Sequence, residues 1–189
     1  LSPMDAVDFI VSNAMASDGI ILIPTGPLTN IAAALIKESR ISERISCISL
    51  MGGSLGCGNA TPAAEFNIFA DPEAAAVVFE SGIPVKMFGL NVTYRADARQ
   101  ADIERIRGIG TEFSTIIADL LQFYRDAAER LIGLEGAPLN DPCAAAVLID
   151  PAIFEMQPMH VAVELRGEFT RGMTVCDARD KPAVPFSPA

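Results

Sequence analysis

Three short strand-length segments, the first an unbroken apolar run, constrain the fold of this chain more than any other feature. Ile20-Ile21-Leu22-Ile23, then residues 45–50, then residues 84–90 each have the length of a strand. A segment with helical spacing separates each from the next. The first, apolar at every position and not every second one, suits a strand covered on both faces. Parallel neighbours need a crossover, usually a helix, so strands alternating with helices lead to a parallel sheet. The expected fold class is α/β: an open, mostly parallel sheet with helices on both faces, in a Rossmann-like arrangement.

The helices can be placed from their boundary residues. Residues 4–15 carry Ala6, Val7, Ile10, Val11 and Ala14 near helical spacing, with Ser2-Pro3 as a start signal. A loop of Thr25-Gly26-Pro27-Leu28-Thr29-Asn30 leads into a helix through Ile36. A long glycine-bearing loop follows Met51 and runs to about Phe69. Asp71-Pro72-Glu73 opens an alanine-rich helix through Phe79, which Gly82 ends. Residues 101–132 are helical with a break at Gly108-Ile109-Gly110. Asp141-Pro142 opens a helix over residues 143–148 that stops at Asp150-Pro151. Residues 159–165 alternate and predict a strand at a sheet edge, and the tail with Pro182, Pro185 and Pro188 is irregular. No linker divides the chain, so residues 1–189 are expected to form a single domain.

Composition narrows the function. A net charge of −10 does not attract a phosphate backbone, so nucleic acid is not an expected partner. No apolar run approaches the ~18 residues of a membrane span. Cys47, Cys57, Cys143 and Cys176 show neither C-x-x-C spacing nor a nearby His, and are read as reduced packing residues of a cytoplasmic protein. Half the residues are hydrophobic, which suggests surface buried against another chain. The first residues lack a basic signal-peptide start and an initiator Met, as expected of a chain that begins mid-protein.

Ligands of open α/β sheets bind at the carboxyl ends of the strands. Three polar segments fall there: the Thr25–Asn30 loop, the stretch from Met51-Gly52-Gly53 to Asn67, and Asn140-Asp141-Pro142. They hold amides, carboxylates and hydroxyls without His or Lys. That set suits a polyhydroxyl ligand and a hard, oxygen-seeking cation better than a phosphate. No G-x-G-x-x-G or Walker loop follows a strand, which argues against a dinucleotide- or phosphate-binding domain. Each residue also has a plainer reading. Asp141 before Pro142 can be a helix N-cap, Thr25 a turn residue, and Met51 and Phe66 core. His160, on a late strand, is expected to be structural or solvent-facing, and Cys143 to be packing.

These segments carry a resemblance. Ile23-Pro24-Thr25-Gly26-Pro27-Leu28-Thr29-Asn30, Met51-Gly52-Gly53, Gly58-Asn59-Ala60-Thr61-Pro62-Ala63-Ala64-Glu65-Phe66-Asn67, Asp71-Pro72-Glu73-Ala74-Ala75, Asp141-Pro142-Cys143-Ala144 and Gly167-Glu168-Phe169-Thr170-Arg171-Gly172-Met173-Thr174 stand in one order. Together they resemble the inosine-uridine preferring nucleoside hydrolases, over residues 1 to about 177. The resemblance implies that the chain is the C-terminal two-thirds of that fold, with the N-terminal part missing. It implies hydrolysis of the N-glycosidic bond of ribonucleosides to base and ribose, in purine or pyrimidine salvage, by a homo-oligomer.

The resemblance also implies a site. A calcium ion would take the Thr25 carbonyl and the Asp141 carboxylate. Asn59, Glu65 and Asn67 would hydrogen-bond the ribose hydroxyls, Met51 would lie against the sugar, Phe66 would shape the pocket, and Tyr124 would close over the base. Two departures stand beside these matches. The family's opening D-x-D-x-G-x-D-D cluster, which supplies most calcium ligands and the general base, has no counterpart here. Its absence predicts an open sheet edge, and a chain inactive by itself. Asn140 occupies the position where many members carry the His that protonates the leaving base, and an amide is no general acid. The alternative reading is a non-catalytic remnant that keeps a ribose-binding or oligomerisation surface.

Overall fold

A computed structural model describes residues 3–179. The proline-bearing tail and Ser2 lie outside the described residues. Strands β1 (Ile20–Leu22), β2 (Ile45–Met51) and β3 (Val85–Phe88) form a parallel sheet in that order. Helices α1 (Ala6–Ala16), α2 (Thr29–Lys37) and α4 (Pro72–Phe79) share a core with one face, and α8 (Asn140–Ile149) packs on the other. The α/β layering expected from the alternating elements is therefore present.

Strand β2 shows how the layers are sorted. Its side chains alternate faces. Ile48 and Leu50, both fully buried, join the α1–α2–α4 core. Each contributes about 1.5–3 kcal/mol by leaving water. Met51 points into the cluster with Phe88, Cys143, Ala144 and Val147. Ser49 shares that side and donates a 2.6 Å hydrogen bond to the Ala144 carbonyl. The small side chains of α8 allow that close approach.

The first strand departs from expectation. Ile20 and Leu22 pack on the core, but Ile21 and Ile23 are each 43% exposed. Only β2 pairs with β1 among the described residues, so β1 is an edge strand. An apolar run reports that both faces can be covered, not that both are. Helix α1 starts later than Ser2-Pro3 implies, because the Asp5 carboxylate accepts the Asp8 N–H (2.8 Å) as the N-cap.

Several short elements were not expected. Helix α3 (Phe66–Ala70) lies inside the segment expected to be loop. Helix α5 (Leu90–Thr93) follows β3. Strands β4 (Asp97–Ala98) and β5 (Ala137–Pro138) make a two-residue antiparallel ladder. The strand expected over residues 159–165 is present as β6 (Val161–Val163), and it pairs antiparallel with β7 (Thr174–Cys176), which was not expected. Helices α6 (Gln100–Arg107) and α7 (Glu112–Ile132) form a hairpin broken at Gly108–Gly110, as expected. Arg125 ties α7 down, donating to Glu135 O (3.1 Å) and to Gln100 Oε1 (3.0 Å). Helix α7 buries Ser114, Ala118 and Ala128, and leaves Phe113, Ile116, Leu120 and Phe123 exposed on another face. No helix among the described residues is long and apolar enough to cross a membrane.

Candidate active site

The carboxyl ends of β1 and β2 meet at Met51. Its N–H donates to Pro24 O (3.0 Å), which sets the Thr25 loop beside it, and its side chain packs against the first half of α8. Gly52 N donates to Phe88 O (3.2 Å), and Gly53 O accepts from Leu90 N (3.0 Å). Gly53 has φ +75°, and a Cβ there would stand 2.8 Å from Thr174 Cγ2. Glycine alone satisfies both conditions.

Glu65 organises the next segment. Its side chain is 3% exposed. Oε2 accepts N–H bonds from Gly53 (2.9 Å) and Ile68 (3.2 Å), and Oε1 accepts from Asn67 (2.9 Å). It is thus the N-cap of α3 and the tie to the Gly-Gly turn. A carboxylate has about four acceptor positions, so one remains for a ligand hydroxyl. Asn67 spends its NH2 on Met51 O (3.1 Å) and Met51 Sδ (3.3 Å), which leaves its carbonyl oxygen as the acceptor. Asn59 does the reverse: Oδ1 accepts the Phe66 N–H (2.8 Å), leaving its NH2 as the donor. Phe66 itself is exposed.

The turn before Glu65 is built around one carbonyl. Ala64 O accepts from Asn59, Ala60 and Thr61, at 3.1, 3.1 and 3.2 Å. Gly58 passes so close that a Cβ would lie 2.1 Å from that oxygen.

Hydrogen bonds also link the motifs to one another. Thr29 Oγ1 donates to Asp71 Oδ2 (2.6 Å), joining the first loop to the start of α4. Arg171 Nη2 reaches both oxygens of Glu73 at 2.8 Å. Thr174 Oγ1 accepts from Ser54 N (2.9 Å) and donates to Ser54 O (2.7 Å). Thr174 is a positioning residue that sequence reasoning quoted within a motif without a role. The signal that could have found it is a hydroxyl residue at the start of a strand otherwise apolar at Val175.

Helix α8 brings the remaining candidates. It begins at Asn140, so Asp141 lies in the first turn and is not the N-cap expected from Asp141-Pro142. A carboxylate there still complements the helix dipole. Asp141 is exposed, yet the packing beneath it desolvates the carboxyl and raises its pKa. The Asn140 side-chain oxygen is buried and has no hydrogen-bond partner among the described residues. Tyr124 on α7 feels the charge of Asp141. Its phenol pKa is raised first by desolvation, then by Tyr94 and Asp141. Thr25 is exposed at its loop. Cys143 is buried beneath, donating to Leu139 O (3.1 Å), and burial raises its thiol pKa, so it is packing as expected. His160 lies just before β6, at the β6–β7 end of the fold.

A calcium ion takes about six to eight oxygens. Among the described residues no three His, Cys, Asp or Glu side chains gather as a metal cluster. Thr25 and Asp141 alone do not make a calcium site. A cavity of about 490 Å³, lined by Met87, Phe154, Met159 and Cys176 among others, contains none of the candidate residues and is separate from the site.

The family model for inosine-uridine preferring nucleoside hydrolases matches residues 1–187. A pyrimidine-specific ribonucleoside hydrolase RihA from Salmonella paratyphi A is 50% identical over 163 residues, 86% of this chain and 52% of the relative. One from Enterobacter sp. is 48% identical over 175 residues, 91% and 56% respectively. Among solved structures, a purine-preferring ribonucleoside hydrolase from Gardnerella vaginalis superposes with TM-score 0.86 at 38% identity, covering 94% of this chain and 57% of that one. A plant nucleoside hydrolase does so with TM-score 0.89 at 27% identity, covering 100% and 60%. The chain spans about half the length of the curated relatives it matches. With these motifs, wired together at the carboxyl ends of a parallel sheet, the chain belongs to the inosine-uridine preferring nucleoside hydrolase family.

Proposed function

We propose that the whole protein hydrolyses the N-glycosidic bond of ribonucleosides, releasing base and ribose. The observation that carries this reading is the bonding of Asn59, Glu65 and Asn67 into one turn, with Asn67 tied to Met51 and Glu65 to Gly53. Each is held by its backbone bonds with hydrogen-bonding capacity to spare. One donor and two acceptors fixed on a rigid turn match the 2′- and 3′-hydroxyls of a furanose. Such contacts strengthen as the sugar gains oxocarbenium character and the C1′–N bond lengthens. Water oxygen bonds to C1′ and releases a proton, and the departing base takes one up. Asn140 cannot supply that proton, so in this reading it comes from solvent.

Calcium dependence is part of the proposal, with Thr25 and Asp141 as this chain's share of the ligands. Pyrimidine ribonucleosides are the favoured substrates, because the relatives near 50% identity carry that specificity in their names. A homo-oligomer is proposed too, supported by exposed apolar side chains such as Phe113, Ile116, Leu120 and Phe123 on α7. A second reading, a non-catalytic remnant, draws on Asn140, an amide that cannot act as a general acid.

The test is release of free ribose from uridine and inosine by the whole protein, with and without chelator. Release that the chelator stops supports the enzyme. Uridine binding without release supports the remnant.

A further inference from the structure

Helix α7 has two unlike faces. It packs on α6 and β5, and it buries Ser114, Ala118 and Ala128. Phe113 and Phe123 are each 74% exposed, and Ile116 and Leu120 are half exposed or more. At 3.6 residues per turn these four fall within about 80° of arc, roughly 140° around the helix from the buried set. They step along the helix by three, four and three residues. That is the a/d spacing of a seam between two helices, narrower than the face a helix turns to a protein core. The order is also palindromic: phenylalanines outside, aliphatic residues inside, placed symmetrically about Ala118.

We infer that α7 pairs antiparallel with α7 of a second copy of the chain, across a two-fold axis beside Ala118. The inference rests on the homo-oligomer of the proposed function and assigns its interface. A two-fold contact uses one patch twice, so the patch must match itself when reversed. Here the axis sets Phe113 against Phe123 of the second copy, and Ile116 against its Leu120. The four side chains expose roughly 500 Å² per copy, so two copies cover about 1,000 Å², the area a specific interface needs, before any rim is added. A single contiguous apolar patch of this size marks an interaction surface. Asp119, beside the stripe, approaches its own mate near the axis. Arg107 Nη1 already donates to Asp119 Oδ1 at 2.6 Å, so two ion pairs meet there and not two bare carboxylates. Glu112 and Asp126 come to the rim, where salt screens them.

The experiment measures the mass of the whole protein by sedimentation equilibrium over a dilution series, for wild type, Leu120→Glu and Ile36→Glu. Ile36 is an equally apolar, exposed residue on α2. Losing a central anchor of an interface weakens it by roughly 30-fold or more. Leu120→Glu is expected to raise the dissociation constant by that factor, and Ile36→Glu to leave it within twofold. An equimolar mixture of Ile116→Cys and Leu120→Cys proteins should oxidise to the mixed disulfide, with little bridging at these positions in either protein alone. An oligomer that Leu120→Glu leaves intact would overturn the α7 contact and leave the homo-oligomer standing, through another surface. Bridging of each single-cysteine protein to itself would overturn the antiparallel axis. A wild type that stays monomeric at every concentration would overturn the homo-oligomer and this interface together, while ribose release still decides the hydrolase reading. If Leu120→Glu fails to fold, Leu120→Ala replaces it, with an expected rise of at least fivefold, and an unchanged constant would overturn the contact.

Discussion

Replacing Glu65 tests whether its carboxylate holds the site together. Its two oxygens accept three backbone N–H groups, and the side chain is almost wholly enclosed. Glu65→Gln can place its one carbonyl oxygen at the Oε2 position and keep the bonds from Gly53 and Ile68. Its NH2 then faces the Asn67 N–H, one donor against another. One unsatisfied buried donor costs about 1–3 kcal/mol. Glu65→Ala abandons all three, a loss of roughly 3–6 kcal/mol after relaxation and partial wetting of the turn. In a protein of this size 1 kcal/mol moves Tm by about 2–4 °C. Thermal and urea unfolding of both variants in the whole protein should therefore rank wild type above Gln above Ala, with the Gln-to-Ala gap at least as large as the first. Stability of Glu65→Ala within ~1 kcal/mol of wild type would refute the cap. Equal losses in the two variants would refute the division of bonds between the oxygens.

Gly58→Ala places a Cβ against the Ala64 carbonyl, and overpacking of that kind costs about 1–3 kcal/mol. It should lower Tm and cut kcat/KM for uridine at least tenfold, while Gly56→Ala, with open space around it, leaves both unchanged. The Arg171 guanidinium holds the Glu73 carboxyl below its usual range, so that pair stabilises the fold above the unfolded pKa near 4.5 and stops doing so as pH falls through the lower folded value. Glu73→Gln should therefore lower Tm at pH 7 and give a shallower decline in Tm below pH 4.5; parallel curves would contradict the pairing. Asn140→His introduces a group able to protonate the leaving base: kcat should rise at least tenfold, and the rate should fall as pH rises through the imidazole pKa near ~6.5. A flat pH profile would mean that residue 140 does not reach the base.

The layering was legible because apolar runs of strand length alternate with helix-spaced segments, and the α6–α7 break because two glycines interrupt the pattern. The exposure of Ile21 and Ile23 was not, since whether a face is covered depends on what packs there. Helix α3 was hidden because its cap is Glu65, a residue less often used for capping than Ser, Thr, Asp or Asn. The β4–β5 ladder is too short to have a period. In the site, residue types and order were readable. The bonds that orient Asn59, Glu65 and Asn67 were not, because they run to backbone groups whose positions follow from the folded turn.

The most direct test of the account is the ratio of kcat/KM for uridine to that for 2′-deoxyuridine, measured on the whole protein by release of the free sugar. A site built to hydrogen-bond a substrate hydroxyl rejects the analogue that lacks it, by factors that reach about 10⁴–10⁵. The account predicts a ratio of at least ~100, falling toward unity in Asn67→Ala. Equal cleavage of the two nucleosides, or no cleavage of either, would contradict it.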